Sequence, residues 1–295
     1  MVITFMIHSP ESQRRVAAIH DISGFGRCSQ TVILPTLSAM GVQTCPIPTA
    51  VLSTHTGGLG EVAMRDLTDF IPAALEHYKR LDLSFDAIYS GFLGSQAQID
   101  HCLSFFNAFP DALVVVDPVM GDHGKPYKTC DKALQQRMSE LVSAADIITP
   151  NLTEACILLG KEYDHSPMTH SQARSTLARL SEKGPSKVVV TSVQLATGEM
   201  ANIGYDRDRG AYWYVPCDYV PVSYPGTGDL YASVLVGSLL TGDSLSIAMG
   251  RASSFVELAI KTTFSYGTDT RYGVMLEEAL PWLTHKEIMK NYKIL

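Results

Sequence analysis

The sequence predicts a doubly wound α/β fold: a mostly parallel sheet flanked by helices, in one domain covering residues 1–295. Three observations predict it. Short β-branched apolar runs alternate with longer segments of helical spacing. The triplet VVV occurs twice, at 114–116 and 188–190, as suits strands buried on both faces of a parallel sheet. Polar, glycine-rich residues follow each apolar run, and ligands of open α/β sheets bind beyond the carboxyl ends of the strands.

Each element follows in order. A strand at 16–20 ends in Asp21-Ile22-Ser23-Gly24-Phe25-Gly26 and is followed by a helix at 29–40. A strand at 44–52 ends in Ser53-Thr54-His55-Thr56-Gly57-Gly58, with a helix at 61–79. The strand at 86–90 runs into Gly91-Phe92-Leu93-Gly94 and a helix at 97–109. The strand at 113–116 runs into Asp117-Pro118-Val119-Met120-Gly121-Asp122 and a helix at 131–144. The strand at 146–149 leads to Pro150-Asn151-Leu152-Thr153-Glu154, with a helix at 152–159 and another at 171–183. The sixth strand, 187–191, ends in Thr191-Ser192. The pattern then changes: 199–205 and 211–216 flank a polar turn, 206–210, and read as a small antiparallel hairpin. Two long apolar helices, 228–240 and 244–263, a loop at 266–273 and an amphipathic stretch at 276–282 complete the chain. No internal repeat, charge run or linker divides it.

Composition bounds the function. A net charge of −7 argues against nucleic-acid or anionic-membrane binding, which needs a basic face. None of the six cysteines forms a C-x-x-C pair, so zinc-ribbon and thioredoxin-like chemistry lack support. The opening VITFMI at 2–7 is too short for a secretory segment, and no apolar run of about 18 residues is present. The expectation is a cytoplasmic protein with free thiols. Cys28, Cys45 and Cys156, which lie among apolar residues, read as core thiols.

The strongest chemical signal is Gly226-Thr227-Gly228-Asp229, followed at once by an apolar helix. The glycines let several N–H groups converge at a helix N-terminus, where the macrodipole favours negative charge. Asp229 then stands in the first turn, either as an ordinary capping residue or within reach of a substrate hydroxyl. No Walker A motif occurs, and Gly24-Phe25-Gly26 lacks the third glycine of a dinucleotide fingerprint, position 29 being Ser29.

Seven segments together carry a resemblance: HDISGFG at 20–26, VLSTHTGG at 51–58, SGFLGS at 90–95, VVDPVMGD at 115–122, ADIITPNLTEA at 145–155, VVVTS at 188–192 and PGTGDLYAS at 225–233. Over roughly 16–265 the chain resembles the ribokinase-like superfamily. Within it, it is most similar to the vitamin kinases, pyridoxal kinase and hydroxymethylpyrimidine kinase. SGFLGS and DPVMGD lean to the former, while Asp21-x-Ser23-Gly24 is closer to the latter. The resemblance implies ATP-dependent transfer of phosphate to a 5′-hydroxymethyl group, with Asp229 as base and the amides of Gly226, Thr227 and Gly228 as anion hole. It implies ATP contacts at Asp117, Asn151, Thr191, Ser192 and Thr227, and Mg²⁺ at Asp122 and Glu154. A monovalent cation such as K⁺ would sit near Asp117, Thr149 and Thr191. Substrate contacts would come from Asp21 or Ser23, Thr49, His55, Phe92 and Asp229. Residues 122–128 resemble a lid, with Lys125 or Lys128 reaching the phosphates. A homodimer is also implied. The alternatives are a hydroxymethylpyrimidine (phosphate) kinase and a non-catalytic vitamin B6-binding protein on the same fold.

Overall fold

The computed structural model describes residues 13–218, 220–284 and 291–295; the opening run at 2–7 lies outside them. First come β1 (Arg15–Phe25), α1 (Gln30–Ala39), β2 (Gln43–Thr54), a short β3 (Met64–Asp66) and α2 (Phe70–Arg80). Next are β4 (Ala87–Ser90), α3 (Gln96–Ala108), β5 (Leu113–Val116), the two-residue strands β6 (Gly121–Asp122) and β7 (Lys125–Pro126), and α4 (Lys132–Ser143). They are followed by β8 (Ile147–Ile148), α5 (Leu152–Leu159), α6 (His170–Ser181), β9 (Lys187–Gln194), β10 (Met200–Asp206) and β11 (Ala211–Cys217). The chain ends with α7 (Thr227–Leu240), α8 (Leu245–Tyr266), α9 (Leu276–Ala279) and β12 (Lys293–Ile294).

Ten strands form one sheet in the order β12-β11-β10-β9-β8-β5-β4-β1-β2-β3. The six from β9 to β2 pair in parallel. The β10–β11 hairpin does not stand apart but extends this sheet antiparallel to β9. The two VVV runs show why the sheet is buried on both sides. Val114, Val116, Val188 and Val190 pack into one apolar layer, with residues of α2 to α6. Val115 and Val189 pack into the other, with residues of α1, α7, α8 and α9. Alternate side chains of a strand point to opposite faces, so an uninterrupted apolar run needs a helix layer on each.

One expected helix, 61–79, is instead β3 followed by α2. All three β3 residues are exposed on the sheet edge, so no apolar alternation marks them as strand. Residues 266–273 contain a 3-10 turn, Thr270–Tyr272, within the expected loop.

The topology leaves an opening beside β1. Its pairing with β4 stops at Ile19 and Ser90, while its pairing with β2 continues to Phe25. The register shifts between His20 and Ile22, a bulge that redirects the side chains around Asp21. Strand order also reverses at this point, with β2 on one side of β1 and β4 on the other.

Candidate active site

The Gly226-Thr227-Gly228-Asp229 turn packs against Arg27, Cys28 and Ser29, just after β1. Gly226 caps α7 with φ 81°, and a Cβ there would lie 2.1 Å from the Arg27 carbonyl oxygen. Only glycine fits both the left-handed backbone and the close approach. The first N–H groups of a helix have no intrahelical acceptor. Here they belong to Thr227, Gly228 and Asp229 at the start of a 14-residue helix. The Thr227 hydroxyl donates to the Tyr224 carbonyl at 3.0 Å, which braces the turn.

Asp229 does not cap its helix through its side chain. Its Oδ2 accepts the Ser29 N–H at 2.8 Å and the Cys28 thiol at 3.5 Å. Oδ1 faces Nδ1 of His20 across 3.8 Å. The side chain keeps 12% exposure, enough for a small molecule to touch it. Burial raises its pKa to about 6, the Ser29 N–H pulls the other way, and the charge of Asp21 adds to the rise. His20 is buried and neutral, since burial lowers its pKa to about 3.

Two further carboxylates lie near the turn. Asp117 follows β5, and a Cβ on Gly228 would come 4.0 Å from its Oδ2. Burial pushes Asp117 well above the usual carboxylate range, with added repulsion from Glu154 and Asp229, while the Thr149 hydroxyl opposes the rise. Glu154 is the third residue of α5 and forms a capping box with Asn151. Its oxygens accept the N–H groups of Met120 at 3.1 Å and Asn151 at 2.9 Å. Burial raises it to about 8 despite these bonds. The Asn151 amide donates to the Gly121 carbonyl at 2.8 Å, so both ends of that side chain serve the protein itself. Thr191 is bridged to Asn151, and Ser192, at φ 58°, donates its N–H to Asn202.

Asp122 and Lys125 pair across the β6–β7 hairpin. The Tyr127 phenol beside it is pushed up by desolvation, then by Asp122, Glu154, Asp117 and Asp229, so the hairpin overlooks the acidic cluster. Lys125 and Lys128 are both exposed. Among the described residues, no three His, Cys, Asp or Glu side chains converge as a self-sufficient metal cage. Raised, mutually repelling carboxylates do fit Mg²⁺, which keeps several waters and needs only one or two of them.

At the other end, Asp21 accepts the Ser23 and Ser29 hydroxyls and is raised chiefly by burial. The buried Thr49 hydroxyl donates to the Phe92 carbonyl at 3.1 Å, so it holds the loop carrying that ring. Phe92 is half-buried. His55 differs from its expected role. Its Nδ1 accepts the Gly57 N–H at 3.0 Å, which puts the proton on Nε2, 2.6 Å from the Arg271 carbonyl. Both nitrogens serve backbone, leaving only a ring face for a ligand.

Three residues of this site were not expected from sequence. Cys28 is no core thiol, because it touches Asp229. Ser29 binds Asp229 through its N–H and Asp21 through its hydroxyl. His20 lies against the free oxygen of Asp229. The available signal was position: His20 is the polar end of an apolar strand, immediately before Asp21.

Comparison with known proteins identifies the family. The sequence profile described as "Phosphomethylpyrimidine kinase" matches residues 34–273. The chain belongs to that family. It is a kinase, a phosphotransferase on a ribokinase-like fold. A pyridoxal kinase of Arabidopsis thaliana is 30% identical over 86% of this chain and 84% of its own. A Bacteroides thetaiotaomicron protein assigned as a phosphomethylpyrimidine kinase, in a crystal form with pyridoxal, is 43% identical with a TM-score of 0.91. It covers 96% of this chain and 100% of that one. The pyridoxal kinase of Lactobacillus plantarum is 33% identical, TM-score 0.84, over 92% and 97% of the two chains. The matched span of the family profile includes Thr49, Phe92, Asp117, Asn151, Glu154 and Asp229, while His20 and Ser29 precede it.

Proposed function

We propose that this kinase transfers the γ-phosphoryl group of ATP to the 5′-hydroxymethyl group of pyridoxal, pyridoxine or pyridoxamine. The observation that carries the reading is Asp229. It is raised to about 6, partly exposed, with one oxygen free, in the first turn of a helix whose leading amides have no intrahelical acceptor. A base is most effective near the working pH. Asp229 takes the hydroxyl proton as that oxygen attacks the γ-phosphorus, and the bond to the β-phosphate oxygen breaks to release ADP. The amides of Gly226, Thr227 and Gly228 stabilise the charge on the transferring group. Asp21 or Ser23, with Phe92 packed on the ring, orients the acceptor. Thr49 acts on it by holding Phe92.

Mg²⁺ would be held through water by Glu154 and Asp122, and would neutralise phosphate charge. Asp117, Thr149 and Thr191 would hold a monovalent cation such as K⁺. Asn151, Thr191, Ser192 and Thr227 would line the triphosphate. The reading takes 1–295 as one domain, and a cytoplasmic homodimer as the working form. No described helix is long and apolar enough to cross a membrane.

The second reading is hydroxymethylpyrimidine kinase, favoured by the family profile and by Asp21-x-Ser23-Gly24. ADP release with Mg²⁺ and K⁺ separates the two, using the three B6 vitamers, hydroxymethylpyrimidine and ribose as acceptors. Turnover of the vitamers that vanishes in Asp229→Ala supports the proposal. Turnover of the pyrimidine alone moves the protein to the second reading. Tight vitamer binding without turnover makes it a non-catalytic binding protein.

A further inference from the structure

His20 is unexplained by packing alone. It is fully buried, and neither ring nitrogen has a hydrogen-bond partner. Buried polar atoms are rarely left this way, and each exception calls for a reason. The room for it is built in. A Cβ on Gly91 would lie 1.9 Å from His20 Cε1, so glycine at 91 is what admits the imidazole. The Tyr89 ring meets it edge-on, with centroids 4.4 Å apart. A leucine in such a slot would avoid the cost of desolvating two nitrogens. The ring nevertheless directs Nδ1 at Oδ1 of Asp229, the oxygen that Ser29 and Cys28 leave free.

We propose that His20 is a positioning residue for the base: in the loaded enzyme its Nδ1–H donates to Asp229 Oδ1 and fixes the carboxylate plane. The separation of 3.8 Å is too long for a hydrogen bond in the ligand-free protein. Catalytic hydrogen bonds commonly tighten only when substrate binds. Oδ2 is then held by Ser29 and Oδ1 by His20, and the second lone pair of Oδ1 remains for the acceptor hydroxyl. The role needs a donor at the Nδ1 position and no charge on the imidazole. It rests on the reading of Asp229 as base.

The test compares His20→Leu and His20→Met, which lack the donor, with His20→Asn, whose amide nitrogen falls where Nδ1 stands. Steady-state ADP release gives kcat and both KM values, and thermal unfolding reports the fold. The apolar variants should lose on the order of 10- to 100-fold in kcat, as expected for a misaligned catalytic group. Their KM values should stay within about threefold and their Tm should equal or exceed that of the parent. His20→Asn should recover most of the kcat. Parent-like kcat in the apolar variants, a loss confined to KM, or an Asn variant no better than a folded Leu or Met variant would overturn the role. Asp229→Asn is run in parallel. If it turns over normally, the base assignment and the His20 role both fall. If it is inactive while the apolar His20 variants match the parent, only the His20 role falls.

Discussion

Asp229 owes its basicity to its surroundings. Desolvation opposes its ionisation more strongly than one backbone N–H favours it, so its pKa stands near 6. On the proposed mechanism the proton-free form is the base, so kcat/KM should fall about tenfold per pH unit below 6 and level off above it. A pH profile without an acidic limb would exclude Asp229 as the base. Replacing it by Asn should lower kcat by roughly 10²- to 10⁴-fold, the usual worth of a general base, with the KM for ATP changed only a few-fold. The same change should stabilise the ligand-free protein. At pH 8 the parent must hold an ion where burial disfavours one, and the variant does not. Thermal unfolding at that pH should show a gain of about 2–4 °C per kcal/mol relieved. The place of Asp229 in the first turn of α7 was legible because glycines before an acidic first turn have a recognisable spacing. Ser29 and Cys28 were not, because 200 and 201 residues separate them from Asp229 and only the fold joins them. The bonds of His55 were not legible, because polar neighbours in sequence do not show that backbone groups already claim both its nitrogens.

At the scale of elements, two short structures hold the chemistry in place. The α7 N-terminus is pressed onto the backbone of Arg27 and Cys28, with Gly226 at the contact. Gly226→Ala adds a side chain at φ 81° against main-chain atoms that cannot rotate away. It should cost about 1–3 kcal/mol and raise the KM for ATP, since the helix must back away from the proposed phosphate site. Parallel unfolding and kinetic measurements would show both effects, and an unshifted KM would detach the turn from nucleotide binding. The α5 capping box is the second device. Glu154 ties the start of α5 to Met120, and Asn151 ties it to Gly121, so the helix anchors the β6–β7 hairpin. Elements of the parallel core were legible because burial on both faces forces an apolar run. The edge strand β3 and the β6–β7 strands were not, since pairings of only two or three residues rest on backbone bonds that leave no side-chain pattern.

The whole molecule carries the electrostatic cost of its site, and that cost has a pH signature. A carboxyl raised by folding binds its proton more tightly folded than unfolded, so stability declines as pH rises from its unfolded to its folded pKa. Glu154, raised from 4.5 to about 8, and Asp117, raised well above 3.8, both act this way. His20 acts oppositely. Lowered from 6.5 to about 3, it removes stability as pH falls below 6.5, where the unfolded chain takes up a proton that the folded chain refuses. Below 6.5 the two trends compete. Between 6.5 and 8 the His20 contribution is complete and the carboxylates act alone. The ligand-free protein should therefore lose thermal stability across that interval. Mg²⁺ bound to ionised Glu154 and Asp122 would stabilise the folded state by mass action, and more so as pH rises. A Tm series from pH 6.5 to 8.5, with and without saturating Mg²⁺, should diverge towards high pH. Glu154→Gln should flatten the ligand-free curve and reduce the separation between the two. Curves that stay parallel in the parent protein would mean that the raised carboxylates are not where the cation binds.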